Sequence, residues 1–275
     1  MLTKKESKGK TIIVPVSGGK DSQMVLALAC DKHGADNVRA VYQATGFDHP
    51  FTLTHLKYMS ERYKVKVETS QSQRFKDIFE LIKVMGFFPN SKARQCTKEF
   101  KLLAFQKWLR ANKLMDNAHV YFGMRTDESA ARAKKYTGFS PKDIFTLPDM
   151  SANYTAGYKN ITVSLPVVNW ATAKIFSYLE KRGDKVNPLY ARGHSRVGCY
   201  PCLVGNQTEW VLASKDKVGR KNIAKLIELE DYLAIHGDPR RSIKIHQTRD
   251  IRRLLETNSF DVADSDSTSC ATCSY

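Results

Sequence analysis

The sequence predicts an α/β fold: a parallel sheet with helices on both faces, followed by a helical C-terminal appendage. Strand and helix patterns alternate through the first half of the chain, and the strands are short apolar runs. This order is typical of parallel sheets, whose strands are joined by helical crossovers. At 275 residues with 42% hydrophobic residues, the chain can form one large domain, or a core domain with a smaller appendage.

The predicted elements alternate clearly at first and less regularly later. In the first half, strands are predicted at 11–16, 38–43, 65–69 and 119–123, and helices at 21–33, 49–63, 74–85 and 97–112. In the second half, strands are predicted at 143–147 and 161–168, and helices at 172–183, 204–214 and 219–235, with 238–256 ending the ordered body. Ligands of such sheets bind beyond the carboxyl ends of the strands.

The segment SGGKDS, which follows the first predicted strand, has the composition of a pyrophosphate site. Gly18 and Gly19 let backbone N–H groups turn toward an anion, and the next helix adds its positive end. Lys20 supplies a positive charge. Ser17 and Ser22 are hydrogen-bond donors, and Asp21 is a candidate ligand for Mg²⁺. The plainer interpretation is a turn between strand and helix.

The cysteines suggest metal, cluster or redox chemistry. Cys96 lies at a predicted helix start, where a thiolate is favoured. Cys199 and Cys202 lie two residues apart in the turn GCYPC. Three such thiolates could hold zinc or three corners of a [4Fe-4S] cluster, or they could be redox thiols or simply buried. Cys270 and Cys273 in the tail are a candidate fourth ligand or sulfur carrier, or have no role.

The charge of the chain is strongly positive and unevenly spread. The net charge is +16, and the last 20 residues hold four acids but no Lys or Arg, so residues 1–255 carry 44 basic against 24 acidic side chains. Such a surplus suggests DNA or RNA as a partner, through the basic stretches 215–225 and 240–253. The alternatives are a solvated basic face or a site for small anions.

Several motifs together resemble a known family. SGGKDS matches the signature of the PP-loop ATP pyrophosphatases. QATGFDHPFTLTHLKYMSERY, GMRTDESAARAKK and the segment from PVVNW to GCYPC, in this order along the chain, are similar to motifs of the phosphoadenosine phosphosulfate (PAPS) reductase family. Ala44 replaces the Asp of that family's DTG motif, and the C-terminal Glu-Cys-Gly-x-His of the sulfonucleotide reductases does not occur.

This resemblance implies an adenine-nucleotide α-hydrolase-like, Rossmann-like fold that binds ATP with Mg²⁺. Carried over motif by motif, it implies catalytic roles for Lys20, Asp21 and Arg125, and further nucleotide contacts at Ser17, Gly18, Gly19, Ser22, Thr45, Gly46, Gly123, Glu128, Ser129 and Arg132. A three-cysteine cluster at Cys96, Cys199 and Cys202 resembles that of the tRNA 2-thiocytidine synthetases. The implied division is a basic extension at 1–10, the family domain at 11–205, a basic helical region at 206–256 and an acidic mobile tail at 257–275.

The function expected from this resemblance is ATP cleavage to AMP and pyrophosphate, which activates an acceptor for sulfur transfer. DNA phosphorothioation proteins and tRNA thiolation enzymes are the nearest families. The alternatives are a PAPS or APS reductase and a non-catalytic nucleotide- or nucleic-acid-binding subunit. We expect a cytoplasmic protein with no membrane partner, a sulfur donor such as a cysteine desulfurase, and a homo-oligomer.

Overall fold

A single six-stranded sheet organises the part of the chain that the structure, a computed structural model, describes: residues 1–151, 154–238, 240–245 and 251–256. Its strands are β1 (Thr11–Val16), β2 (Val38–Ala44), β3 (Val67–Gln71), β4 (Ala118–Tyr121), β5 (Phe145–Thr146) and β6 (Thr162–Ser164). The strand order is β3-β2-β1-β4-β6-β5, with β5 antiparallel to its neighbour and all other pairs parallel. The predicted fold class is confirmed.

The helices fall into two groups, one around the sheet and one in the appendage. Around the sheet lie α1 (Lys20–His33), α2 (Pro50–Tyr63), α3 (Ile78–Met85), α4 (Gln95–Thr97), α5 (Ala104–Ala111), α6 (Ala130–Tyr136), α7 (Leu147–Met150) and α8 (Thr172–Lys181). The π-helical segment Lys98–Leu103 joins α4 to α5. The appendage comprises α9 (Gln207–Ser214), α10 (Lys217–His236) and α11 (Ile251–Glu256).

The central strand β1 buries both of its faces, as an internal parallel strand must. Ile13 packs in a cluster with Phe105 of α5, whereas Val14 packs in a second cluster with Leu26 of α1 and Ile175 of α8. Helices therefore cover both faces of the sheet. Because β1, β2, β4 and β6 run in the same direction, the loops that follow them meet at one edge.

A third apolar cluster joins the appendage to the rest of the molecule. It contains Leu81 and Ile82 of α3, Trp210 of α9 and Leu226 of α10, all buried. The appendage thus packs against α3 instead of standing apart. The predicted division at residue 205 stays a prediction, and the predicted tail at 257–275 lies outside the described residues.

The two predicted strands of the second half are shorter than expected. The strand predicted at 161–168 ends at Ser164, because Pro166 cannot donate a ladder hydrogen bond and the Val168 N–H turns back to the Leu165 carbonyl at 3.2 Å. The strand predicted at 143–147 is reduced to two residues, since Thr146 and Asp149 form a capping box that starts α7 at Leu147.

Helix starts also differ from the prediction. The helix predicted at 74–85 begins at Ile78, where Asp77 Oδ1 accepts a hydrogen bond from the Glu80 N–H at 2.9 Å and caps the first turn. The segment 238–256 is predicted to end the ordered body, and in its described part α11 is the helical element. None of the described helices combines the length and the apolar composition needed to cross a membrane.

Gly46 fixes how the loop after β2 packs on the start of α3. Its φ is +66°, a left-handed conformation that L side chains rarely adopt, and an added Cβ would lie 2.6 Å from the Asp77 Cβ. Gly138 provides a matched comparison, because its φ is +81° but nothing lies within 4 Å of an added Cβ.

We expect Gly46→Ala to lower the free energy of unfolding by about 3 kcal/mol, since a left-handed backbone and a forced contact both contribute. Gly138→Ala carries only the backbone cost, about 1 kcal/mol. Urea denaturation of both variants measures the difference. Equal losses would show that the Gly46 loop is free to move away from α3.

Candidate functional site

The phosphate loop, residues 17–22, connects β1 to α1 at the carboxyl edge of the sheet. Gly18 has φ +73°, and its hydrogen atoms leave room for Thr52 Cγ2, which would lie 2.9 Å from an added Cβ. Ser22 Oγ accepts the Ser17 N–H at 3.1 Å and lies 3.0 Å from the Gly19 carbonyl, to which it donates. The two predicted serine donors thus hold the loop in shape in this structure, and α1 follows directly at Lys20.

Lys20 is buried beneath two aromatic rings. Its Nζ lies 3.1 Å from Asp21 Oδ2, 5.3 Å from the centroid of the Tyr190 ring and 5.8 Å from that of Phe176. The Lys20 N–H donates to the Tyr190 hydroxyl at 2.9 Å. Burial lowers the pKa of Lys20, and the Asp21 carboxylate opposes this shift. The ammonium is therefore fixed beside the N-terminus of α1, a position that favours anions.

Arg125 binds the other carboxylate oxygen of Asp21. Its Nε donates to Asp21 Oδ1 at 2.6 Å, its Nη1 to the Trp170 carbonyl at 2.7 Å and its Nη2 to Thr172 Oγ1 at 3.0 Å. Only 1% of Arg125 is exposed. The guanidinium thus connects the loop after β4 to the start of α8 and positions Asp21. A direct catalytic role for Arg125 stays a prediction.

The predicted residues around Arg125 come together at the same edge. An added Cβ at Gly123 would lie 3.0 Å from the Ser22 backbone nitrogen, so only glycine permits this approach of the two loops. Glu128 Oε2 accepts the Arg125 N–H at 2.9 Å and pairs with Arg132. Ser129 Oγ caps α6 by accepting the Arg132 N–H at 3.2 Å.

Arg132 adds a buried positive charge to this group. Burial lowers its pKa to about 10, and the nearby Arg196 guanidinium shifts it in the same direction. Arg196 also lowers the pKa of Lys20, which places it on the same side of the molecule. Arg196 is not among the site residues that the family resemblance implies.

The loop after β2 carries a carboxylate that the sequence interpretation missed. Thr45 Oγ1 donates to Asp48 Oδ2 at 2.7 Å. Burial is the main cause of the raised pKa of Tyr42, and the charge of Asp48 and a hydrogen bond with it raise that pKa further. Ala44 leaves the usual position of the family's Asp without a carboxylate, and Asp48 supplies one in the same loop. The sequence signal that could have located this carboxylate is the acidic residue four positions after Ala44.

The cysteine loop, residues 197–202, lies against both neighbouring loops. Tyr200 N–H donates to the Phe47 carbonyl at 2.7 Å, and Cys199 Sγ lies 3.7 Å from Thr45 Oγ1. The Val197 carbonyl oxygen lies 3.6 Å from the position of an added Cβ at Gly19. The cysteine loop therefore rests on the phosphate loop.

The three predicted cysteines are neighbours but do not form a ready metal site. Burial raises the pKa of Cys96 and raises that of Cys199 to about 12, and Cys202 adds to both shifts. The expected preference for a thiolate at Cys96 is therefore wrong in this structure. Within the described ranges, no group of three or more His, Cys, Asp or Glu is placed to hold a metal ion. Cys270 and Cys273 lie outside those ranges.

A buried set of hydrogen-bonded side chains connects α9 of the appendage to the cysteine loop. Glu209 of α9 binds His194 Nδ1 at 2.6 Å and accepts from the N–H and hydroxyl of Ser195 at 2.8 and 2.6 Å. His194 Nε2 lies 3.3 Å from the Tyr200 hydroxyl. Burial alone would raise the pKa of Glu209, but these hydrogen bonds hold it below its ordinary value. Sequence reasoning missed Glu209, because nothing in its local pattern distinguishes it from a surface acid.

Comparison with known proteins identifies the family. Residues 11–204 match the phosphoadenosine phosphosulfate reductase domain. The chain belongs to this family, whose members are enzymes with a nucleotide-binding fold.

Two relatives and one solved structure show how far the similarity extends. An uncharacterized protein of Escherichia phage 186 is 28% identical over 88% of this chain and 80% of its own length. An uncharacterized protein of Methanocaldococcus jannaschii is 27% identical over 70% of this chain, but only 36% of its own length is matched. The crystal structure of PAPS reductase from Candida auris superposes with a TM-score of 0.52 at 16% identity, covering 72% of this chain and 89% of that one.

We expect Arg125→Gln to lower the free energy of unfolding by about 3–5 kcal/mol, because it leaves Asp21 and the Trp170 carbonyl without their buried partner. Arg252→Gln is the matched control, since Arg252 forms an ion pair with Asp231 on an exposed face. It should leave the midpoint of urea denaturation unchanged within error. Full stability of Arg125→Gln would indicate that the guanidinium is held for a ligand and not for the fold.

Proposed function

We propose that this protein cleaves ATP to AMP and pyrophosphate in order to activate an acceptor on a nucleic acid for sulfur transfer. The observation that carries the proposal is the contact between the cysteine loop and the phosphate loop, at Val197 and Gly19. This contact brings thiol groups to the edge of the sheet where the phosphates of a nucleotide would bind. Membership of the family supports the nucleotide, and the position of the cysteines supports sulfur chemistry.

The phosphate loop would hold the β and γ phosphates while the α phosphorus is attacked. An acceptor oxygen forms a bond to the α phosphorus, the α–β phosphoanhydride bond breaks, and pyrophosphate leaves with the bonding electrons. Lys20 would neutralise the charge that develops on pyrophosphate, and Asp21 would hold the Mg²⁺ that accompanies ATP. The N-terminus of α1 stabilises the same negative charge.

Sulfur transfer would follow on the adenylated acceptor. A sulfur nucleophile forms a bond to the activated atom, and AMP leaves with the original acceptor oxygen. Hydrosulfide would supply the sulfur: a thiol reduces the persulfide of a donor such as a cysteine desulfurase, forming a disulfide and releasing hydrosulfide, whose proton is lost when it replaces AMP. Formation of a homo-oligomer is a separate expectation, and the reaction does not require it.

Cys96, Cys199 and Cys202 would hold a [4Fe-4S] cluster. The donor set is suitable in kind, because Cys202 lies close enough to Cys96 and Cys199 to add to the raised pKa of both, and basic Arg94 and Lys101 lie near these thiols. Metal binding requires deprotonated thiols drawn closer together, so these side chains would have to rearrange. When bound, such a cluster offers an open iron position that can carry sulfur.

Lys20→Met tests the role of the phosphate loop. We expect a loss of about a hundredfold in the rate of AMP and pyrophosphate formation with an unchanged fold, because one positioned charge on the leaving group is removed. Lys174→Met, which removes an exposed lysine on α8, is the control and should keep full activity. Anion-exchange separation of AMP from ADP measures both.

Other products would contradict the proposal. A PAPS or APS reductase would instead release sulfite from the sulfonucleotide with a thiol donor and would show negligible ATP cleavage. Formation of ADP and phosphate would exclude attack at the α phosphorus. If neither ATP nor a sulfonucleotide reacts, the binding-subunit alternative is favoured.

Anaerobically prepared protein tests the cluster. We expect the wild-type protein to be brown, with the broad visible absorption typical of [4Fe-4S] proteins. The single variants Cys96→Ser, Cys199→Ser and Cys202→Ser should each lose the colour and the bound iron. Cys30→Ser is the control, since Cys30 packs against the apolar cluster under α1. Stoichiometric zinc without iron would contradict the assignment.

A further inference from the structure

A cavity of about 550 Å³ lies between the loop that follows α3 and the segment that follows α10. The two walls are joined by hydrogen bonds: Phe88 N–H donates to the Ser242 carbonyl at 2.6 Å, and Asn90 Nδ2 donates to Ser242 Oγ at 3.0 Å. The cavity is therefore part of the folded chain. Its segment 240–244 lies beyond the matched family domain, which ends at residue 204.

Three cations line this cavity, Arg240, Arg241 and Lys244, and Arg240 is held by the Asp238 carboxylate. The Arg241 guanidinium lies 4.8 Å from the centroid of the Phe87 ring, and Phe87 is buried, so the ring fixes a planar donor group at the wall. Lys244 is exposed at the same wall. Arg241 lies 3.8 Å from the Asp238 carboxylate, a contact that is too long for a strong hydrogen bond.

Two other described arginines of the basic stretch are already paired. Arg240 binds Asp238 through two hydrogen bonds of 3.0 and 3.1 Å, and Arg252 binds Asp231 through two of 3.0 and 2.8 Å. Their guanidinium groups are engaged by carboxylates in fork geometry. Among the described residues that line the cavity, the positive charge available to a ligand is therefore concentrated at Arg241 and Lys244.

One wall of the cavity continues in the chain into the segment that carries Cys96. Ala93 lines the cavity, and the next residue, Arg94, lies near Cys96, Cys202 and Arg196. Arg196 in turn lies near Lys20. Arg94, Arg196 and Lys20 thus place positive charge at the cysteines and at the phosphate loop.

We propose that the cavity binds the phosphodiester backbone of the nucleic-acid acceptor through Arg241 and Lys244, so that a neighbouring nucleotide reaches the phosphate loop. This inference rests on the proposed function. Among the described residues that line the cavity, Phe87 is the one aromatic side chain and Arg241 covers its ring, so the contact does not depend on base stacking or base sequence. Phosphate groups match the donors present: a guanidinium, an ammonium and the amide and hydroxyl of the wall.

The test compares two double variants that remove the same charge: Arg241→Gln with Lys244→Gln in the cavity, and Arg252→Gln with Lys174→Gln outside it. Fluorescence anisotropy with labelled single-stranded DNA and with RNA of the same sequence gives the dissociation constant over a range of salt concentrations. We expect the first pair to weaken binding about tenfold and to reduce the slope of log K against log salt by about 1.4, since each contact on a single strand contributes about 0.7. The second pair should change neither by a comparable amount.

Three results would overturn the inference: equal effects of the two pairs, no binding of either nucleic acid by the wild-type protein at low salt, or a matching loss of affinity for free ATP in the first pair. The last would assign the cavity to a small nucleotide. Thermal denaturation confirms that each variant is folded. ATP cleavage is measured separately, so a protein that binds DNA through Arg241 without forming AMP would contradict the proposed function and leave this inference standing.

Discussion

The arrangement of the site depends on one carboxylate held between two buried cations. Asp21 Oδ2 lies 3.1 Å from Lys20 Nζ, and its Oδ1 accepts from Arg125 Nε at 2.6 Å. Without this carboxylate, two positive groups would face each other in a region of low dielectric, and both would lose a hydrogen-bonding partner. The loop after β1 and the loop after β4 are therefore fixed to each other by charge as well as by sheet pairing.

The same brace extends to the residues that enclose Lys20. Arg125 holds the Trp170 carbonyl and Thr172 at the start of α8, and α8 carries Phe176 against Tyr190. Tyr190 then accepts the Lys20 N–H. This closed set of contacts explains how an ammonium can remain buried next to a helix N-terminus. It also explains why the cysteine loop, which follows Tyr190 in the chain, lies against Gly19.

The sequence predicted the parts of this arrangement that depend on local pattern. The strand–loop–helix order and the SGGKDS segment located the phosphate loop, and the carboxyl-edge rule predicted that Gly123, Arg125 and Arg132 would come near it. It did not predict partners separated by long stretches of chain. The Glu209 contact with His194 depends on how α9 packs, and the pairing of Arg252 with Asp231 depends on how α11 packs beside α10. Burial, which raises the pKa of Cys96, is likewise a property of the folded chain and opposed the effect expected from its position at a helix start.

The central claim is that the phosphate loop and the cysteine loop act on one acceptor. The most direct measurement supplies anaerobic protein with ATP, a cysteine desulfurase, ³⁵S-labelled cysteine and nucleic acid, and counts both AMP and the label bound to the nucleic acid. The account predicts that label is incorporated only when ATP is present and in equal amount to AMP. AMP formed without label in the nucleic acid, or label incorporated without ATP, would contradict it.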